Sequence, residues 1–248
     1  MTNNHVFSPS ETKKAIEIRQ LRKEFDGKLV LSDVFFDVCY GTIHGFVGPN
    51  GAGKSTTLNI LVRLVTPTSG EVFVEGRSVA DDPYFNESLG FVEAEPKFPD
   101  FTVEKYVKVC SYLRDVPKQE AWQSFINSSL NEFRYKKCNE LSTGWKKFLK
   151  IFVASLFKPR VLILDEPFNG LDPIHRTLLT EQLIKVKREG RAVLFSAHNL
   201  TDIQKLSDDV TMIKNGRTVL TGRKPLDIEK VFEEYFVREE REKRSFSL

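Results

Sequence analysis

The chain has 248 residues, of which 40% are hydrophobic, with 37 lysines and arginines against 34 aspartates and glutamates. This balance is typical of a globular protein with a sizeable core, which needs no disulfide or metal in order to fold. The formal charge of +3 is too small to indicate a nucleic-acid or membrane-surface ligand by itself. We therefore expect no nucleic-acid partner. The identity of the ligand is indicated by the sequence motifs.

The cysteines and the longest apolar run indicate the redox compartment of the chain and its relation to the membrane. Cys39, Cys110 and Cys138 are isolated and form no CxxC pair, which favours packing roles in a reducing compartment. The longest uncharged apolar run, Ile151–Phe157, is far shorter than the roughly 18 residues that a membrane-spanning helix needs. Residues 1–14 are polar and are predicted to form a flexible tail without a secretory signal. We expect that the chain does not cross a bilayer alone.

The first part of the chain is rich in strand signals. Apolar and β-branched residues predict strands at Ala15–Leu21 and Leu29–Val38, separated by an Asp-Gly turn. A short apolar run, Ile43–Val47, ends at a glycine-rich loop. From Lys54 the apolar residues recur three and four apart, which predicts a helix. A further short strand is predicted at Glu71–Glu75.

The middle and the end of the chain have different patterns. Strand signals are scarce from about residue 96 to residue 158, where Val103–Tyr112 and Ala121–Phe133 have helical spacing. This predicts an inserted helical subdomain. Beyond it, parallel strands joined by crossovers are predicted at Val161–Leu164, Ala192–Ser196 and Val210–Ile213. Residues 226–248 are predicted to form a charged, amphipathic tail.

A phosphate-binding motif lies between the third strand and the first helix. Its sequence fits G-x-x-x-x-G-K-[ST] in the strand–loop–helix order that the motif requires. The glycines let backbone N–H groups surround an anion at the positive end of the helix. Lys54 would reach the β and γ phosphates, and the Ser55 hydroxyl would bind Mg²⁺. The alternative is a glycine-rich turn before an exposed lysine. The residues predicted to bind ATP are Gly48, Pro49, Asn50, Gly51, Ala52, Gly53, Lys54, Ser55 and Thr56.

Two carboxylates follow the apolar run Val161–Leu164. A parallel strand would deliver Asp165 and Glu166 to the sheet edge where ligands bind in open α/β folds. Asp165 is predicted to hold Mg²⁺ directly or through water, and Glu166 to polarise the water that attacks the γ phosphate. A buried strand that ends at a solvated acidic turn is the alternative.

Three more segments, in a fixed order with these two motifs, make a resemblance specific. Leu141–Trp145 reads Leu-Ser-Thr-Gly-Trp, Gly170–Pro173 reads Gly-Leu-Asp-Pro, and Ser196–His198 reads Ser-Ala-His. This set and order resembles the nucleotide-binding subunit of an ABC transporter, over about residues 15–222. The match covers most of the chain and involves five motifs.

The resemblance implies a fold and a division of the chain. The fold is an α/β P-loop NTPase core with a mostly parallel sheet, an N-terminal antiparallel β subdomain and an inserted α-helical subdomain. The ATPase domain would extend over residues 15–225, with the helical subdomain at about 96–158. The segments 1–14 and 226–248 would be tails.

The resemblance also implies that the ATP sites lie between two subunits. In the family, each ATP lies between the phosphate loop of one chain and the signature sequence of the other, here Leu141–Trp145. Ser142, Thr143 and Gly144 would contact ATP in trans and stabilise charge on the γ phosphate. Asp172 would lie at the dimer interface.

Two further roles come only from the resemblance. His198 would contact the γ phosphate and hold the attacking water, so that Lys54, Glu166 and His198 form the catalytic set. Phe25 would stack on adenine. The alternatives are a surface or core histidine for His198 and a core phenylalanine for Phe25.

The function implied is Mg²⁺-dependent ATP hydrolysis that energises transport through a separate, polytopic permease. The chain would act at the cytoplasmic face of the membrane, paired with a second copy of itself or a homologous ATPase subunit. The helical subdomain and the tail resemble subunits that serve exporters of drugs, peptides or polysaccharides. The alternative is a soluble ABC ATPase outside transport, such as an iron–sulfur cluster assembly ATPase. A regulatory module that does not hydrolyse ATP is disfavoured because the catalytic set is present.

Two departures from the family pattern affect these expectations. Ala94 stands where the family usually has a metal-binding glutamine, and we hypothesise that Glu93 or Glu95 substitutes for it. The alternative is that water fills the place and coupling to the permease is weaker. Thr143 and Trp145 replace the commoner glycine and glutamine of the signature. We expect hydrolysis to survive, because the serine and the second glycine of the signature remain.

Overall fold

The computed structural model describes residues 13–85 and 88–236. Almost all of the predicted tail at 1–14 and the last twelve residues of the predicted tail at 226–248 lie outside the described residues. The strands, in chain order, are β1 (Lys14–Phe25), β2 (Lys28–Cys39), β3 (Ile43–Val47), β4 (Ser69–Val74), β5 (Arg77–Ser78), β6 (Leu89–Val92), β7 (Val161–Leu164), β8 (Ala192–Ala197), β9 (Asp209–Lys214) and β10 (Arg217–Arg223).

The helices surround these strands. They are α1 (Lys54–Leu61), α2 (Val103–Leu113), α3 (Lys118–Ile126), α4 (Thr143–Leu156), α5 (Pro173–Arg188), α6 (Leu200–Leu206) and α7 (Ile228–Phe236). Two short 3-10 turns, Ser129–Phe133 and Cys138–Glu140, connect α3 to α4.

The strands form one sheet with a parallel half and an antiparallel half. Their order is β5-β4-β1-β2-β10-β9-β3-β8-β7-β6. The strands from β9 to β6 are parallel, and β10 is antiparallel to β9. The pairs β1–β2, β1–β4 and β4–β5 are antiparallel. The halves meet where Arg217 of β10 pairs with Asp33 of β2. The predicted fold class is confirmed.

The parallel strands are covered on both faces, which explains their continuous apolar sequences. Val161 and Ile163 of β7 belong to a core shared with α1 and the antiparallel strands. Leu162 and Leu164, which alternate with them, belong to a second core shared with α5 and α6. This two-sided burial fixes the register of the strands, because a slip of one residue would exchange the two faces.

The order of the parallel strands brings the motifs to one edge of the sheet. The phosphate loop follows β3, Asp165 and Glu166 follow β7, and His198 follows β8, which lies between them. Because the carboxyl ends of parallel strands share an edge, the three loops meet there. The fold thereby assembles a site from segments 150 residues apart in sequence.

The helical subdomain has a core of its own. Thr102 caps the N-terminus of α2 by accepting a hydrogen bond from the backbone N–H of Lys105, and Ser142 caps α4 in the same way. Burial raises the pKa of the Cys138 thiol to about 11, and all three cysteines are free. The buried residues of this core are Val103, Tyr106, Val107, Phe125, Leu130, Cys138, Leu141 and Leu149.

The structure shortens one predicted helix and adds a strand that the sequence analysis does not predict. The helix predicted over Ala121–Phe133 ends at Ile126, where the Ser128 hydroxyl donates to the carbonyl of Phe125 and competes with the helical hydrogen bonds. Strand β10 was not predicted, because few of its side chains are buried. The Asn215-Gly216 turn before it is a typical hairpin signal that could have indicated it.

The turn at Gly216 lies close against the backbone of β2. Gly216 has a φ of +74°, and a Cβ there would lie 2.2 Å from the carbonyl oxygen of Val30. Gly190 has nearly the same φ, +76°, with no atom within 4 Å of a Cβ. Both alanine variants carry the cost of a left-handed backbone, about 1 kcal/mol. Gly216→Ala should lose about 1–3 kcal/mol more, because the hairpin must shift away from β2.

Chemical denaturation of the two alanine variants and the wild type measures this difference. Gly190→Ala is the matched control, since it shares the backbone strain without the close contact. Equal losses of unfolding free energy in the two variants would show that the contact between the Gly216 turn and β2 carries no such constraint.

Candidate functional site

The phosphate loop is shaped by its glycines and by the strands around it. Gly53 has a φ of +109°, and a Cβ at this position would lie 2.4 Å from Leu31 Cδ2. A side chain is therefore excluded by both backbone and packing. The loop leads into α1, whose first residue is Lys54. The cavity here, about 230 Å³, is lined by Val30, Asn50, Gly51, Gly53, Lys54, Ser55, Thr56 and Glu166.

The Lys54 side chain is buried under this loop. Its ammonium donates to the carbonyl oxygens of Gly48 at 2.8 Å and Pro49 at 3.2 Å. It also lies 3.7 Å from Glu166 Oε1. Burial lowers the pKa of Lys54, while the charges of Glu166 and Asp165 counteract this shift. The alternative of an exposed lysine after a glycine turn is wrong, because Lys54 is only 5% exposed.

The two acidic residues after β7 are held by a serine of the neighbouring strand, one through its carboxylate and the other through its backbone. The Ser196 hydroxyl donates to Asp165 Oδ1 at 2.5 Å and accepts from the backbone N–H of Glu166 at 2.8 Å. Both Asp165 and Ser196 are buried. Asp165 is therefore no solvated turn residue. Nothing in the sequence alone assigned Ser196 a role, although it lies in the motif that ends at His198.

The Glu166 carboxylate lies between a lysine and a histidine. Oε1 faces the Lys54 ammonium, and Oε2 lies 3.3 Å from His198 Nδ1 and accepts from the side-chain amide of Asn169. The backbone of Glu166 is left-handed, with a φ of +45°. The Glu166 carboxylate thus faces the phosphate cavity between an ammonium and an imidazole. In this position it can accept a proton from a water molecule bound in the cavity.

The residues near this carboxylate fit a magnesium ion that also takes phosphate and water ligands. The Ser55 hydroxyl and the Asp165 carboxylate are oxygen ligands of the kind that Mg²⁺ prefers. Among residues 13–85 and 88–236, no cluster of three or more His, Cys, Asp or Glu side chains could enclose a metal by itself. Mg²⁺ typically uses one or two carboxylates and completes its shell with phosphates and water.

The signature sequence and the Gly-Leu-Asp-Pro segment pack against each other. Trp145 lies edge-on to the His175 ring, with centroids 4.8 Å apart, and contacts Phe133 and Phe148. Asp172 caps α5 and accepts a hydrogen bond from His175 Nδ1 at 2.5 Å. Trp145 is therefore accommodated as a packing residue of the helical subdomain.

A buried lysine joins these two segments to the carboxylates. Lys147, on α4, donates to the carbonyl oxygens of Glu166 at 2.8 Å and Asn169 at 2.7 Å. Sequence reasoning missed it. Its position on the buried face of α4, in line with Gly144, Ile151 and Ala154, was the available signal.

The chain is similar to known proteins over most of its length. Residues 31–169 match the family described as ABC transporter. The chain belongs to the ABC transporter family.

Relatives and a solved structure match most of this ABC subunit. A lantibiotic transport ATP-binding protein of Streptococcus pyogenes is 30% identical over 83% of the chain and 89% of its own length. A Nod factor export ATP-binding protein I of Burkholderia orbicola is 34% identical over 84% of the chain and 70% of its own length. The solved structure of an ATP-binding subunit of an ABC transporter has a TM-score of 0.79 and 26% identity, covering 90% of this chain and 94% of that one.

The other residues predicted to contact ATP differ in their exposure to solvent. Phe25 is 41% exposed, with the Lys23 ammonium 4.5 Å from its ring centroid, so the alternative of a core phenylalanine is wrong. Its stacking on adenine stays a prediction. Ser142 and Thr143 are exposed, and Gly144 is buried beneath His175. In the part of the chain that the structure describes, no helix is both long and apolar enough to span a membrane.

The two glutamates beside Ala94 have different neighbours. Glu93 Oε1 lies 3.4 Å from the Lys150 ammonium and accepts from the backbone N–H of Lys97. Burial lowers the pKa of the Lys147 ammonium, and the charges of Glu166, Asp165 and Glu95 counteract this shift. Of the two carboxylates, Glu93 is paired with Lys150, whereas Glu95 adds its charge to the group formed by Lys147, Glu166 and Asp165.

This difference predicts the Mg²⁺ dependence of ATP hydrolysis. Glu95→Ala should raise the Mg²⁺ concentration for half-maximal rate by about tenfold, because the carboxylate hypothesised to replace the metal-binding glutamine is lost. Glu93→Ala is the matched control and should leave the curve unchanged. The measurement is the rate of phosphate release against Mg²⁺ concentration. Unchanged curves for both variants would contradict a carboxylate at the position of the missing glutamine, and a shift only in Glu93→Ala would contradict our choice of Glu95.

Proposed function

We propose that the chain is an ATP-hydrolysing subunit that energises transport through a separate, membrane-spanning permease. One observation carries this proposal: the Glu166 carboxylate lies 3.7 Å from the Lys54 ammonium and 3.3 Å from His198 Nδ1, at the phosphate-loop cavity. A base, a phosphate-binding cation and an imidazole in this arrangement support attack of water on a γ phosphate. Family membership supports ATP as the substrate.

Each polar group has a part in the proposed reaction. Backbone N–H groups of the phosphate loop bind the triphosphate, and Lys54 exchanges its carbonyl partners for β and γ oxygens. Ser55 and Asp165 hold Mg²⁺, which supplies charge neutralisation on the phosphates. Glu166 accepts a proton from the attacking water, and His198 holds that water against the γ phosphate.

The proposed site is completed by a second subunit, either another copy of this chain or a homologous ATPase. Ser142, Thr143 and Gly144 contact the ATP bound to the partner, and Asp172 lies at the interface. In the described part of the chain, no hydrogen bond or ion pair joins Leu141–Trp145 to the chain's own phosphate loop. This separation and the exposure of Ser142, Thr143 and Asp172 support contact in trans.

The transport function rests on relatives as well as on the site. The names of two relatives refer to lantibiotic transport and Nod factor export, which supports a role with an exporter. In this proposal the subunit is held at the cytoplasmic face of the membrane by a polytopic permease. Phe25, exposed at the end of β1, stacks on the adenine ring.

Replacing the proposed base separates hydrolysis from binding. Glu166→Gln should lower the rate of ATP hydrolysis by about 100-fold or more, since a general base contributes this much. Binding of ATP should change by less than about threefold, because the cradle and Lys54 remain. Phosphate release and equilibrium binding of a fluorescent ATP analogue measure the two quantities.

Glu71→Gln, at an exposed position of strand β4, is the matched control and should behave as the wild type. The proteins are purified from detergent-solubilised membranes, so that a co-purifying polytopic protein supports the transport function. Hydrolysis by Glu166→Gln at the wild-type rate would contradict the proposed base. Co-purification of a soluble scaffold instead of a polytopic protein would favour the non-transport ATPase.

A further inference from the structure

The Lys147 side chain is almost fully buried, although it lies on a helix next to the protein surface. It is 3% exposed, and its ammonium makes hydrogen bonds to two backbone carbonyl oxygens, those of Glu166 and Asn169. Burial lowers its pKa, and the nearby charges of Glu166 and Asp165 counteract the shift. The ammonium therefore bonds to the backbone of the loop that carries the proposed base.

The loop needs such an anchor because its backbone is strained at Glu166. A left-handed φ in a residue other than glycine costs about 1–2 kcal/mol and persists only where neighbours enforce it. Ser196 accepts from the Glu166 N–H at 2.8 Å, and Lys147 donates to the Glu166 carbonyl at 2.8 Å. The backbone of Glu166 is thus held on both sides, which sets the direction of its side chain.

The second anchor of Lys147 acts on the same carboxylate. Asn169, whose carbonyl oxygen lies 2.7 Å from the Lys147 ammonium, donates its side-chain amide to Glu166 Oε2. One ammonium thus fixes both the residue that carries the base and the residue that holds its carboxylate.

Lys147 also connects this loop to the signature sequence. It lies on α4, whose first turn contains Gly144 and Trp145. His175, on the segment that follows the carboxylates, contacts the same turn, with its ring centroid 4.8 Å from that of Trp145. The signature helix and the loop from Glu166 to His175 are therefore joined at two separate points.

We propose that Lys147 is a positioning residue for ATP hydrolysis: its bonds to the carbonyls of Glu166 and Asn169 aim the Glu166 carboxylate and tie it to the signature helix. This inference rests on the proposed function. In a pair of subunits, the signature sequence of one chain would contact the ATP bound to its partner, while Glu166 of that chain would act on the ATP bound to its own phosphate loop. Lys147 therefore links the two ATP sites.

Variants of Lys147 test the proposal in the full chain. Lys147→Met keeps the length and apolar stem of the side chain and removes its donors. It should lower kcat by about 100-fold, the loss expected when a reacting group is displaced by about 1 Å. The KM for ATP and the binding of a fluorescent ATP analogue should stay within about twofold, because the phosphate loop is untouched. Lys146→Met, half-buried on the same helix, is the matched control and should keep the wild-type kcat.

Conservative variants distinguish positioning from packing. Lys147→Arg and Lys147→Gln retain donors toward the two carbonyls, and at least one of them should recover about tenfold or more of the kcat lost in Lys147→Met. Thermal unfolding of all variants is measured in parallel, and these two keep the test valid if Lys147→Met does not fold. A purely structural role predicts instead that kcat, ATP binding and melting temperature fall together and that no donor variant recovers kcat more than the others.

Three results would overturn the proposal: kcat of Lys147→Met within about twofold of Lys146→Met, no recovery of kcat by either donor variant, or equal losses of ATP binding and kcat. If the wild type hydrolyses ATP in a Glu166-dependent way and Lys147→Met hydrolyses it with the same kcat, only this inference fails. If the wild type shows no Glu166-dependent hydrolysis, the proposed function fails and the inference fails with it.

Discussion

The site depends on a balance of charge in a confined space. The Lys54 ammonium lies 3.7 Å from the Glu166 carboxylate, and the Lys147 ammonium bonds to two backbone carbonyl oxygens of the loop that carries it. Burial lowers the pKa of both lysines, while the charges of Glu166 and Asp165 oppose that shift. Either pair alone would be costly to bury, but together the four groups compensate one another. A triphosphate adds negative charge to this balanced set. A divalent cation is the natural means of offsetting it.

The sheet topology is what brings these charges together. Adjacent parallel strands end at one edge, so the loops after β3, β7 and β8 meet although they are far apart in sequence. The buried strands carry few polar residues, and Ser196 is placed where it bonds to the Asp165 carboxylate and to the backbone N–H of Glu166. The position of the site is therefore determined by where the parallel strands end and not by the charge of the protein surface. For this reason a small net charge is no obstacle to binding an anion.

Much of this arrangement could be predicted from the sequence. The phosphate loop and the Asp165-Glu166 pair are local signals, because their chemistry depends on residues adjacent in the chain. Contacts between distant segments could not be predicted. The partners of Lys147 and the separate environments of Glu93 and Glu95 depend on how α4 packs on the loops after β6 and β7. The early end of α3 has a similar cause, a side-chain hydrogen bond that competes with the helix.

In the proposed function, the phosphate loop and the signature sequence of one chain serve different ATP molecules, so that hydrolysis requires two subunits. This requirement is tested by measuring ATP hydrolysis per chain over a range of protein concentrations, with sedimentation of the same samples. Specific activity should rise with concentration as the chain pairs and approach zero where it sediments as a single chain. Full specific activity in samples that contain only single chains would contradict it.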